Sequence, residues 1–235
     1  MGLRYVLRTS VGLYVHFHRD AMEYGIKNFR GQVFNTAIHY FIVILPCRKE
    51  SVDRIAEHAR QEPVVMPTDT LYGLCMSIYG DVNKIYRLKG RSFKKKIPVG
   101  VARVEMMREV AELTPQAEKL VRAFMPGPLT LVLKNKGIDW LDDTVAVRIP
   151  AHTLTIYLME KIGPITLTSA NLSGENAPES IEDTMKLDVQ YRVDCGKLMG
   201  KPSTIVSLVD GVKLIREGAI PFSAILKVLG EKYEH

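Results

Sequence analysis

Three polar segments of this chain hold residue types that can grip an anion or a small polar ligand. Pro67-Thr68-Asp69-Thr70-Leu71-Tyr72-Gly73-Leu74 sets two threonines, a carboxylate and a tyrosine directly behind the apolar run Val64-Val65-Met66. Such a group can line a small pocket, although on spacing alone a turn built on Asp and Gly is the simpler reading. Lys89-Gly90-Arg91-Ser92-Phe93-Lys94-Lys95-Lys96 carries five cations and no acid. It reads equally as a solvated or nucleic-acid-facing patch and as cations converging on one phosphate, which Arg holds in bidentate fashion and Lys as a point charge. Thr168-Ser169-Ala170-Asn171 follows the apolar Pro164–Leu167. Its hydroxyl and amide groups can hold a ligand or simply cap a turn. Arg148 and Arg216 add cations at the ends of two further strand-like runs, and Ser203-Thr204 opens a third.

Several other chemistries have no support. There is no Gly-x-x-x-x-Gly-Lys-Ser/Thr loop and no Gly-x-Gly-x-x-Gly turn, so neither a P-loop nor a dinucleotide fingerprint is indicated. Gly-x-Ser-x-Gly and His-Glu-x-x-His are missing as well. His16 and His18 could point the same way from a strand, yet no Cys or carboxylate stands at ligand spacing, and no resident metal site is expected. Cys47, Cys75 and Cys195 are scattered and odd in number, which reads as reduced thiols of a cytoplasmic protein. The longest apolar run, Tyr40–Leu45, is too short to cross a bilayer. A formal charge of +6 fits a protein that attracts anions without naming them.

The elements that must position these groups alternate between strand and helix. Phe41–Leu45, Val64–Met66, Ile97–Ala102, Leu129–Lys134, Thr144–Ile149 and Pro164–Thr168 read as strands. Helices are expected over Ser51–Gln61, from Asp81 to Gly90, from Thr114 with proline at the first helical position to Phe124, and near Leu154–Ile162. A weaker helix is expected over Pro178–Met185, and a last one over Pro221–Leu229. Asp210-Gly211 between Ser203–Val209 and Val212–Arg216 is a hairpin signal. The pattern implies an α/β fold in one domain, residues 40–235, with a mixed, twisted sheet covered by helices. Residues 1–39 lack a sustained period and read as an extension that adds little to function.

Taken in order, Pro-Thr-Asp-Thr-x-Tyr-Gly-Leu, Lys-x-Arg, Pro-Gly-Pro-x-Thr, Val-Arg-x-Pro, Ser-Ala-Asn, Pro-Ser-Thr-Ile and Arg-x-Gly make a far more specific set. Together they resemble the YrdC-like family of threonylcarbamoyl-AMP synthases, from about residue 45 to about residue 228. The chain looks like the short form, without the extra C-terminal domain. The resemblance implies a nucleotidyltransferase that joins L-threonine, bicarbonate and ATP, with Mg²⁺, into threonylcarbamoyl-adenylate and pyrophosphate. The adenylate would then serve a downstream tRNA threonylcarbamoyl-transfer complex. By motif, Thr70, Arg148, Leu167 and Ser203 would contact threonine. Arg91, Lys95, Thr144, Ser169 and Arg216 would contact ATP, and Lys89, Arg91, Ser169 and Asn171 would form the catalytic signature. Ser92 and Lys96 stand where the family often has prolines, while Gly100 and Ala177 replace polar side chains.

Two other readings remain open at this level. An RNA-binding protein without catalysis would use the basic loop and lose RNA steeply with salt, and weak RNA binding is compatible with the synthase as well. No RNA-recognition motif with stacking aromatics appears to support it as the main role. A carbamoyl-transfer domain like that of hydrogenase-maturation proteins is the third.

Overall fold

The computed structural model describes residues 4–9, 14–18 and 38–231, and of the strand residues 5–9, 14–18 and 38–41 the backbone alone. The expected mixed α/β architecture is present, with its strands divided between two sheets. The first contains β1 (Arg4–Thr9), β2 (Tyr14–His18), β3 (Ile38–Pro46), β4 (Val64–Met66), β5 (Gly73–Cys75), β10 (Thr168–Ser169) and β11 (Tyr191–Asp194), in the order β10-β5-β4-β11-β3-β1-β2. The second contains β6 (Val99–Gly100), β7 (Leu129–Lys134), β8 (Thr144–Arg148), β9 (Ile165–Thr166), β12 (Thr204–Ser207) and β13 (Lys213–Arg216), in the order β13-β12-β7-β8-β6-β9. β11 runs parallel to both β3 and β4, and β12 parallel to β7, whereas β4–β5, β7–β8 and β12–β13 are antiparallel.

The helices follow the signals in the sequence. α1 (Lys49–Ile55) buries Val52 and Ile55 and packs on α5 (Thr153–Ile162). The Asp81 carboxylate accepts the Asn83 N–H at 3.2 Å at the start of α2 (Asn83–Lys89). That helix ends at Gly90, whose φ of 56° suits a residue without Cβ. α4 (Pro115–Phe124) is capped by the Thr114 hydroxyl, which accepts the Ala117 N–H at 3.2 Å. It buries Ala117, Leu120 and Val121, one stripe at helical spacing, and packs against α6 (Phe222–Leu229).

Some elements differ from expectation. The strand over Ile97–Ala102 contracts to Val99–Gly100, because α3 (Val104–Val110), read as no element in the sequence, starts just beyond it. The helix over Pro178–Met185 is reduced to one 3₁₀ turn, Glu182–Thr184. The Asp183 carboxylate there accepts the N–H groups of Glu179 and Ser180, which closes a turn and not a helix. β11 was hidden by its two charged residues. Arg192 in it is nonetheless fully buried, donating to the carbonyls of Thr184, Leu187 and Val189 and to the Thr184 hydroxyl.

The reading of three reduced cysteines is overturned by a Cys47–Cys195 disulfide. In the parallel register Pro46 pairs with Asp194, so the next residues of β3 and β11 emerge side by side with their Cα atoms 4.7 Å apart. They lie 148 residues apart in sequence, and only the sheet order brings them together. Cys75 is free and buried, its thiol pushed well up by desolvation. In the extension, β1 pairs antiparallel with β3 and adds β2 at the sheet edge, and Arg4 forms an ion pair with Asp194. Residues 1–3, 10–13 and 19–37 of that extension, and the side chains of His16 and His18, lie outside the described residues.

Candidate active site

The two sheets meet at Leu167. β9 belongs to the second sheet and β10 to the first, so the chain crosses between them at this residue. Leu167 donates its N–H to the Pro98 carbonyl at 2.7 Å, and its side chain sits against Gly100, where a Cβ would crowd it. A cleft of about 340 Å³ opens beside the crossover. Its walls come from strand ends and the loops behind them: Thr70 after β4, Ser169 in β10, Arg148 closing β8, Ser203 before β12, Arg216 closing β13, and Arg91 just past α2. Strand ends are where open α/β sheets present ligands.

Asp69 and Arg148 tie the sheets together by an ion pair in which both side chains are about nine-tenths buried. Arg148 Nη1 also donates to Thr70 Oγ1 at 3.2 Å, and Thr70 Oγ1 lies 2.9 Å from Thr68 Oγ1. The Thr68 hydroxyl in turn donates to the Leu71 carbonyl at 2.6 Å and accepts the Thr70 and Leu71 N–H groups. This closed turn fixes Thr70. Arg148 Nε and Asp69 Oδ2 have no partner among the described residues, so a buried guanidinium at the cleft keeps an unspent donor. Burial pulls its pKa down, Asp69 opposes that shift, and nearby Arg216 adds to it. A guanidinium stays charged through such shifts, and an anion between the two arginines would relieve their repulsion.

The opposite wall rests on Ser203. Its hydroxyl lies 2.9 Å from Thr130 Oγ1, and its carbonyl accepts Arg216 Nη2 at 2.7 Å and Nε at 3.3 Å. Glycine is required twice here. A Cβ on Gly218 would collide with Pro202 and Ser203, and one on Gly200 with Thr70 and Asp69. Gly218 N–H donates to Thr204 Oγ1 at 2.9 Å and Gly200 N–H to the Thr70 carbonyl at 3.1 Å, so two chain segments press onto the Ser203 and Thr70 turns.

Beneath Ser169 lies Lys89, 2% exposed. Its ammonium donates to the Ser169 carbonyl, to the Asn171 carbonyl at 2.7 Å and to Asn171 Oδ1 at 3.2 Å. Ser169 Oγ donates to Asn171 Oδ1 at 2.6 Å, and Asn171 Nδ2 to the Glu175 carbonyl at 2.7 Å. Burial first, then neighbouring Arg91, brings the Lys89 pKa down to about 8. Arg91 folds the basic loop onto itself, donating to the carbonyls of Lys95 at 2.8 Å and Lys96 at 2.9 Å.

The structure thus brings Thr70, Arg91, Arg148, Leu167, Ser169, Ser203 and Arg216 to one cleft. Lys89 and Asn171 stand behind Ser169 and carry it. Lys95 is exposed, and it is Lys96 that lines the cleft and donates to Thr144 Oγ1 at 3.2 Å. Asp69, Thr130 and Gly200 were not singled out beforehand. Asp69 and Thr130 sat inside quoted motifs, whereas Gly200 has no local signal because its constraint comes from a residue 130 positions away.

Fold and cleft define an α/β protein with a cation-rich, hydroxyl-lined pocket between two mixed sheets. The Sua5/YciO/YrdC family model, described as "Telomere recombination", matches residues 58–218, and the chain belongs to this family. It is 33% identical over 201 residues to a putative threonylcarbamoyl-AMP synthase of Methanocaldococcus jannaschii, across 79% of this chain and 96% of that one. It is 36% identical over 183 residues to the threonylcarbamoyl-AMP synthase of Pyrococcus abyssi, across 72% of this chain and 54% of that longer protein. A crystal structure of P. abyssi Sua5 complexed with L-threonine superposes with a TM-score of 0.75 at 33% identity, over 80% of this chain and 60% of that one. No helix among the described residues is long and apolar enough to cross a membrane.

Proposed function

We propose that this chain is a threonylcarbamoyl-AMP synthase, a nucleotidyltransferase acting on L-threonine, bicarbonate and ATP. The observation that carries the reading is the convergence of Arg91, Arg148 and Arg216 with Thr70, Ser169 and Ser203 on one cleft, in a chain whose family includes curated synthases. The threonine amine attacks the bicarbonate carbon, and loss of water leaves a carbamate. A carbamate oxygen then attacks the α-phosphorus of ATP, and the bond to pyrophosphate breaks. Three small, mostly anionic reactants must be held together, so positioning and positive charge supply much of the rate.

Arg148, with its free Nε–H, is suited to the threonine carboxylate, with Thr70 and Ser203 beside it. Arg91 and Arg216 face the triphosphate, and Ser169 and Thr144 offer hydroxyls to the nucleotide. Lys89 and Asn171 hold Ser169 in place. The polar side chains that line the cleft are cationic or hydroxylic, beside an apolar wall that includes Val132, Leu167, Ile205 and Ile215. No carboxylate of the described residues lines it, so Mg²⁺ fits as part of the MgATP substrate, with phosphate oxygens as its ligands. The product is a reactive mixed anhydride. It would pass to a cytoplasmic partner that modifies the adenosine next to the anticodon in tRNA.

The test is mass spectrometry of the product formed from ATP, L-threonine and ¹³C-bicarbonate. A threonylcarbamoyl-adenylate carrying one heavy carbon supports the reading. An unlabelled product, or none, excludes it.

A further inference from the structure

Lys96 stands where the resemblance leads one to expect proline, yet its side chain has a defined place. Two hydrogen bonds from Arg91 to the backbone carbonyls of Lys95 and Lys96 turn this end of the basic loop inward. The Lys96 side chain forms part of the cleft wall and also borders a neighbouring cavity of about 320 Å³ against Tyr86, Phe93 and Trp140. Its ammonium lies 3.2 Å from Thr144 Oγ1 and 3.2 Å from Asp142 Oδ2. Asp142 is 85% exposed and Lys96 about one-third exposed. A pair this open to water contributes at most about 1 kcal/mol, so a polyanion can take its place at little cost.

We propose that Lys96 is an additional ATP-binding cation of this enzyme, and that Asp142 is its resting counter-ion, displaced when the triphosphate enters. This rests on the synthase reading for the identity of the nucleotide. It goes beyond that reading by assigning the contact to Lys96 and giving Asp142 an opposing role. Lys96 carries its charge to the side of the cleft away from Arg148 and Arg216, and the triphosphate would lie between the two groups. Thr144 opens β8 and Arg148 closes it, so the Thr144 hydroxyl, held by Lys96, stands at the end of that strand away from Arg148.

The experiment combines calorimetric binding of MgATP to the full chain, without threonine, with steady-state pyrophosphate release. Lys96→Met should weaken ATP binding and raise its KM roughly ten-fold, as expected for loss of one charged hydrogen bond. Its threonine KM should change less than about two-fold, and Lys96→Arg should recover most of the ATP affinity. Asp142→Asn should do the opposite, lowering the ATP KM about two- to three-fold in the wild-type background and leaving it unchanged in Lys96→Met. Unaltered ATP binding in Lys96→Met overturns the assignment. An equal gain from Asp142→Asn in both backgrounds overturns the role of Asp142, since a carboxylate acting through the general field needs no Lys96. Failure of the synthase reading looks different: wild-type protein would bind ATP without releasing pyrophosphate in response to threonine.

Discussion

Lys89 and Arg148 are both buried cations at the same cleft, and they are built in opposite ways. Lys89 has three acceptors for its three N–H donors, all of them neutral oxygens on Ser169 and Asn171. Arg148 has an acid, Asp69, and a hydroxyl, Thr70, and keeps an unpartnered Nε. The first cation is fully spent on holding protein groups. The second holds a charge and a donor in reserve. A buried charge can thus be a strut or a binding group, and the number of donors left over tells which.

The largest effects should come from separating these roles. Arg148→Ala should lower kcat/KM for threonine on the order of a thousand-fold or more, because it removes the reserved donor and leaves Asp69 buried alone. Asp69→Ala should unfold at clearly lower urea, a loss of about 3–5 kcal/mol, since a buried guanidinium then has no counter-charge. If Lys89→Met and Arg148→Ala lost the same stability and the same activity, the contrast between strut and binding group would be empty. Arg216→Ala should abolish adenylate formation while the protein stays folded, and turnover at the wild-type rate would remove Arg216 from the site.

Lys89 offers an intermediate test through pH. Burial has brought its pKa from the ordinary lysine range to about 8. Activity that needs the ammonium should therefore fall as pH rises through about 8, and Lys89→Arg should move that limb upward. Stability should follow the opposite sign. The unfolded chain holds this proton up to about pH 10.4 while the folded one releases it from about 8, so this group makes unfolding harder as pH rises across that window. A flat activity profile from pH 7 to 9.5, with Lys89→Arg superimposable on wild type, would contradict the assignment. Reducing Cys47–Cys195 should cost about 2–4 kcal/mol. The smallest effect is expected at exposed Lys95, whose replacement by Ala should leave the ATP KM within about two-fold.

Much of this was legible in the chain. Thr114-Pro115, Gly90 and Asp210-Gly211 marked their caps and turn, because those signals act within a few residues. The resemblance named seven residues that line the cleft, six of them within the ordered motifs and Leu167 just ahead of Ser-Ala-Asn. What escaped was set by contacts distant in sequence. β11 carries Arg192, whose burial depends on carbonyls of a folded loop, and the disulfide depends on which strands lie side by side. The place of Lys96 at the cleft is of the same kind, since composition gives a run of lysines no direction and the contacts of Lys96 with Thr144 and Asp142 do.

The most direct test of the central claim is pyrophosphate release by the purified full chain with ATP, Mg²⁺ and bicarbonate, with and without L-threonine. Release that requires both threonine and bicarbonate, and is lost in Arg148→Ala, is the predicted result. Release indifferent to threonine would contradict the account.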